Sequence, residues 1–190
     1  MRPSLRPLTF CTLLAASAAL TLPGLAQETP QRISPHETIS TRVGRNLIEI
    51  TYGRPYSKDP KTGQIRKIWG GLVPFGKLWR MGADEATLFL TPIDLTVGDT
   101  TIPAGTYSLM MQPEADGSAK LIFNKQTARW GIPITAAVTK DNLYTVDMKK
   151  SPLDKQIDQF TITLQGAPDK LTLNAQWENT QYSVEFAVKK

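Results

Sequence analysis

A hydrophobic period of two recurs along most of this chain and limits what it can fold into. In "LIEITY", Ile48, Ile50 and Tyr52 alternate with Glu49 and Thr51. In "TYSLMM", Tyr107, Leu109 and Met111 share a face, and in "QFTITL", Phe160, Ile162 and Leu164 alternate with threonines. "KLTLNAQW" places Leu171, Leu173, Ala175 and Trp177 on one side, and "YSVEFAV" does the same with Tyr182, Val184, Phe186 and Val188. Further strands are expected at 87–91, 94–97, 120–124 and 143–149. Turn-forming stretches such as "VGDTTIPAG", "PEADGSA", "QGAPDK" and "ENT" bound these runs, each with residues suited to chain reversal. No stretch sustains the 3.6-residue period of a long amphipathic helix. About eight or nine half-buried strands imply an all-β fold, an antiparallel two-sheet sandwich that is jelly-roll-like or a partly closed barrel. Glu178, Asn179 and Thr180 predict a hairpin between the last two strands.

One region departs from the pattern. Between Gly53 and Ala86 no clean strand is visible, yet "IWGGLVPFGKLW" holds Ile68, Trp69, Leu72, Val73, Phe75, Leu78 and Trp79. So many large apolar groups predict a long ordered excursion that docks its aromatics on the core, with room for one helical turn. Long ordered loops in compact domains are uncommon and often functional.

The amino terminus reads as a secretory signal peptide. Arg2 and Arg6 precede the apolar run "LTFCTLLAASAALTL", Pro23 and Gly24 break it, and "GLA" offers a cleavage site after Ala26. The expected organisation is therefore 1–26 signal peptide, 27–41 polar lead-in and 42–190 a single β-sandwich domain. The protein is expected to be exported, periplasmic or extracellular, with no transmembrane segment in the mature chain. Cleavage removes two cations and no acid, so the net charge of +5 falls to about +3. The cations are dispersed, without the basic stripe that nucleic-acid binding requires, so no nucleic acid is expected as a partner. The single cysteine, Cys11, lies in the signal segment, which leaves a mature chain without disulfide or thiolate and stabilised by one hydrophobic core.

"YGRP" at 52–55, "GGLVPFGKLWRMGADEAT" at 70–87, "PAGTYSL" at 103–109 and "FNKQTARWG" at 123–131 resemble the bacterial exported domain of unknown function 2911. The resemblance spans roughly residues 33–188 and implies an exported β-rich domain with no established activity. Two departures stand out. The family pattern commonly has Asn at the position of Asp84, so a carboxylate there is not required. "YSKDPKTGQ" lengthens the connection from Pro55 to Gly70 and reads as a tolerated surface loop.

The segment "KLWRMGADEATLFL" at 77–90 concentrates the polar chemistry. Asp84 and Glu85 are adjacent, and neighbours on an extended segment point to opposite faces. They are therefore unsuited to act as the facing carboxylates of a glycosidase. Glu85 is expected to pair with Arg80 or Arg54 and pin the excursion to the sheet. His36, the only histidine, sits in the polar lead-in, and no "GxSxG" elbow accompanies it. With one His and no Cys in the mature chain, a zinc site is not expected, nor is any other metal or cofactor. Trp177 is in phase with the core, "PAGTYSL" is structural, and Trp130 is the tryptophan best placed for exposure.

These observations favour a non-enzymatic ligand-binding or interaction module of the envelope, with a small molecule, glycan or envelope protein as partner. Its site is expected where the excursion meets the "NKQTARWG" corner, built from Arg54, Trp79, Arg80, Asp84, Glu85, Asn124 and Trp130, with no residue assigned a catalytic role. The alternatives are a hydrolase of glycans or cell-wall material using Glu85 as acid or base, and a structural or assembly subunit.

Overall fold

The computed structural model describes residues 31–188; the segment read as a signal peptide, Cys11 included, lies outside them. The strands are β1 (His36–Val43), β2 (Asn46–Gly53), β3 (Thr87–Thr91), β4 (Leu95–Val97) and β5 (Thr100–Ile102). They continue with β6 (Gly105–Pro113), β7 (Ala119–Asn124), β8 (Asn142–Ala167) and β9 (Lys170–Val188). A single four-residue turn of helix, α1 (Ala136–Thr139), precedes β8. All strand pairs are antiparallel, in the order β1-β2-β3-β6-β7-β8-β9-β4-β5.

The all-β, antiparallel expectation holds, but the strands form one hydrogen-bonded sheet rather than two, and it does not close into a barrel. Continuity comes from β8 and β9. The first part of β8 pairs with β7, and the part from Lys149 onward pairs with β9. Side chains from β2, β3, β6, β7, β8, β9, β4 and β5 meet in one buried cluster, including Ile50, Phe89, Phe123, Phe160, Leu95, Ile102 and Phe186.

Three expectations about local structure are corrected. The hairpin at Glu178–Thr180 does not form; β9 runs straight through. Leu171 to Trp177 bury odd positions, whereas Tyr182 to Phe186 bury even ones. A one-residue change of phase can come from a turn or from a bulge. Here Glu178 adopts φ 52° opposite Ile157, where the β8–β9 register shifts. The "QGAPDK" turn is the real β8–β9 hairpin, with Ala167 paired to Lys170. Second, His36 already begins a strand inside the stretch read as a lead-in, because β1 pairs with β2 along its whole length. Only Ile39 and Val43 give it apolar character, so period two is faint. Third, the excursion contains no helical turn; the helix lies instead at α1.

Tyr52 ties the two halves of the sheet together. It is 1% exposed on β2, and its hydroxyl accepts from the Ile162 amide of β8 at 2.9 Å and donates towards Glu37 Oε2 at 3.2 Å. Burial pushes its pKa up to about 12. Tyr52→Phe leaves the Ile162 amide without a partner, a loss of about 1–3 kcal/mol expected in urea unfolding. The sign of the pH effect follows from the raised value. Below about pH 10 both folded and unfolded phenols are protonated and stability is unaffected. Between 10 and about 12 only the unfolded state ionises, so wild-type stability falls by about 1.4 kcal/mol per pH unit from this group. Urea melts across that range are expected to show a shallower decline for Tyr52→Phe.

Candidate functional site

The excursion, residues 54–86, is sewn down at three places, twice to the sheet and once to the 127–131 corner. At its start, Ser57 N donates to Asp158 O at 2.7 Å and Phe160 N donates to Pro55 O at 2.8 Å. Arg54 secures the same seam, donating to Thr161 Oγ1 at 2.9 Å and pairing with Glu37 at 3.1 Å. Further on, Trp79 and Met111 exchange both backbone hydrogen bonds, at 2.7 and 2.8 Å. At its end, Gly131 N donates to Asp84 O at 2.8 Å and Ala86 N to Arg129 O at 3.2 Å. Gly131 is required here: a Cβ would stand 2.3 Å from Arg80 Cδ and 2.8 Å from Asp84 O.

Asp84 and Glu85 do point apart, but through a left-handed turn rather than a strand. Asp84 has φ 61°, a conformation Asp and Asn tolerate better than other residues with a Cβ. Its buried carboxylate accepts from the Ile33 and Ser34 amides at 3.3 and 3.1 Å. Either acceptor, carboxylate or amide oxygen, can serve two backbone donors. An asparagine oxygen at this position would accept from the same two amides.

Glu85 does not pair with Arg80 or Arg54, the partners expected from sequence. Arg32 Nε donates to its Oε1 at 2.6 Å, and His36 Nε2 stands 2.9 Å from its Oε2. The partners were misplaced because residues 31–36 run back across the excursion. His36 Nδ1 lies 3.0 Å from Ser34 O, and a carbonyl can only accept. Nε2 and Oε2, though close, lie too far off line for a hydrogen bond, so the contact is attractive only with a protonated ring. Burial raises the Glu85 pKa, but the Arg32 hydrogen bond and nearby positive charge outweigh it, holding the carboxyl below its ordinary value. A general acid needs the opposite shift, and the adjacent carboxylate is committed to backbone amides. Glu85 is therefore not poised as a general acid.

Consecutive residues of the two crossing segments line different cavities, which therefore share a wall. The first, about 380 Å³, is bounded by Ile33, Tyr56, Leu72, Trp79, Arg80 and Ile132, with Asp84 and Trp177 also in its wall. Trp79 is buried there at 9% exposure, stacked on Trp177 at 5.9 Å and edge-on to Phe160 at 4.9 Å. Arg80 donates from Nε to Gly82 O at 3.1 Å; burial lowers its pKa against the opposing pull of Asp84. The second cavity, about 420 Å³, is lined by Arg32, His36, Tyr52, Glu85, Leu88 and Arg129 among others.

Of the seven residues expected from sequence, Trp79, Arg80 and Asp84 meet at the first cavity and Glu85 at the second. The others line neither cavity, although Trp130 forms a backbone bridge with Glu85. Arg54 belongs to the seam. Asn124 is fully buried, its amide donating to Val138 O and Asn142 Oδ1 at 2.7 Å each, so it serves as a structural joint. Trp130 is half-buried and lines neither cavity. Sequence reasoning passed over Arg32 and Arg129 as site residues and weighed His36 only as a triad member or zinc ligand, because none of the three sits in a pattern that signals a binding role. "ARWG" carried the signal for Arg129: a cation with no acid nearby in sequence. Among the described residues no group of three His, Cys, Asp or Glu side chains is arranged to hold a metal ion. No helix there is long and apolar enough to cross a membrane.

Comparison with known protein families gives a match over residues 34–186 to the family described as protein of unknown function (DUF2911). Neither the curated proteins nor the solved structures give a match.

Two expected outcomes test the clasp. Asp84→Asn keeps both amides satisfied and is expected to change stability by less than about 0.5 kcal/mol, whereas Asp84→Ala loses them and is expected to cost about 1–3 kcal/mol in chemical denaturation. Glu85 has a depressed folded pKa, so its contribution is present above the ordinary carboxylate value and fades as pH falls through the lower one. Glu85→Gln is therefore expected to flatten the stability–pH curve below about pH 4.5 and to cost under about 1 kcal/mol at neutral pH, the group being partly exposed.

Proposed function

We propose that this chain, which belongs to the DUF2911 family of proteins of unknown function, is an exported, non-enzymatic binding module of the bacterial envelope. Its ligand is a small amphipathic molecule held in the first cavity. The observation that carries this reading is the lining of that cavity: exposed Ile33, Tyr56, Leu72 and Ile132 stand over a wall containing buried Trp79 and Trp177. Solvent-facing apolar groups of this size gathered around a cavity of about 380 Å³ match the usual make-up of a small-molecule site. Arg80, which pairs with no carboxylate among the described residues, supplies an oriented cation for an anionic end.

Export to the periplasm or the extracellular space rests on the signal-like segment before Gln27, with its two arginines, apolar run and small-residue cleavage site. A small molecule suits the site better than a glycan, because the lining is dominated by aliphatic and indole carbon rather than by paired polar groups. Tyr56 is the one aromatic there with a largely open face, 43% exposed.

A thermal-shift screen of aromatic and aliphatic acids and alcohols, with oligosaccharides as a separate arm, checks the reading. A ligand present at about 100 times its dissociation constant is expected to add roughly 2.7 kcal/mol, and to perturb tryptophan emission through Trp79. Ile132→Asp, at an exposed position of the rim, is expected to fold and to lose the effect. Stabilisation by oligosaccharides alone, or a response unchanged in Ile132→Asp, would count against it.

A further inference from the structure

We infer that the second cavity is a separate binding site for a small organic monocarboxylate, anchored by the Nε–Nη2 fork of Arg129. The guanidinium is fixed from one side only. Its Nη1 donates to the carbonyls of Trp130 and Gly131 at 3.2 and 3.1 Å. Nε and Nη2 are buried and have no partner among the described residues. These two nitrogens carry parallel N–H bonds, and that fork matches the two oxygens of a carboxylate. Buried guanidinium donors left open are rare, because each gives up hydration without replacement.

The charges around the cavity point the same way. Arg32, Arg129 and His36 face Glu85, the one acid in the lining. Glu85 is already engaged by Arg32 at 2.6 Å and approached by His36 at 2.9 Å. Arg129 is thus a cation without a counter-charge among the described residues, and burial lowers its pKa. One further negative charge completes the set. The remaining wall includes Tyr52, Ala86, Leu88 and Ala128, and the volume, about 420 Å³, exceeds what a carboxylate alone requires. That room calls for a compact apolar body behind the anion. The site shares only a wall with the first cavity and does not depend on it.

The purified protein is titrated with sodium benzoate at low ionic strength, with benzamide as the neutral isostere and inorganic phosphate as the non-carboxylate anion. Thermal unfolding and the arginine Nε–H resonances are followed. Benzoate is expected to raise the unfolding temperature and to move the one Nε resonance that Arg129→Lys removes. Arg129→Gln is expected to weaken benzoate at least about tenfold, and Arg129→Lys, which keeps the charge but not the fork, to weaken it too. Benzamide is expected to do nothing. The inference is overturned if the Arg129 resonance stays still in the native protein, a reading that stands even where a variant fails to fold. It is equally overturned if benzoate binding survives Arg129→Gln, if phosphate acts as well as benzoate, or if Ile132→Asp rather than Arg129→Gln abolishes the response. That last result would place the carboxylate in the first cavity and leave the proposed function intact.

Discussion

The left-handed turn at Asp84 sets out the whole site. With φ 61°, it directs the Asp84 carboxylate to the amides of Ile33 and Ser34 while Glu85 goes to Arg32 and His36. Two adjacent acids thereby hold the two sides of one crossing segment. The same peptide gives its carbonyl to Gly131 and so fixes the position of the 127–131 corner. The segment before β1 is held a second time by Arg54 N, which donates to Pro35 O at 2.7 Å. Gly53 shows how tight the crossing is: a Cβ there would stand 2.3 Å from Ala83 O and 3.1 Å from His36 Nε2.

Most of the fold was legible because alternation reports a half-buried strand directly. What alternation cannot report is how two in-phase runs are joined. The change from odd to even between Trp177 and Tyr182 suits a hairpin and a bulge equally; the long ladder between β8 and β9 decides for the bulge. One continuous sheet in place of two follows from the same fact, since β8 serves β7 with its first part and β9 with the rest. β1 was missed for a different reason. An edge strand with Ile39 and Val43 as its apolar members presents polar side chains by design, and composition then resembles a linker.

The site was half legible. Trp79, Arg80, Asp84 and Glu85 came from a concentrated motif, and the structure keeps all four at the two cavities. Arg54 and Asn124 were chosen by the same logic of polar residues beside a loop, yet both spend their hydrogen-bonding capacity on the scaffold. Residue type does not separate a joint from a site; the count of satisfied donors does. Asn124 has none free, whereas Arg129 has two nitrogens free.

The same criterion bears on the proposed binding role. Acid–base chemistry needs a titratable group poised near the working pH with room to exchange its proton. Glu85 is held by Arg32, which favours its charged form, and Asp84 is committed to backbone amides. Guanidinium groups line both cavities, among them Arg80 at the apolar first one, and Arg129 at the second with Nε and Nη2 unpartnered among the described residues. Guanidinium groups at this pH range neither accept nor release protons, but they hold anions in a fixed orientation. Under the proposed reading, those open guanidinium donors are what would hold an anionic ligand.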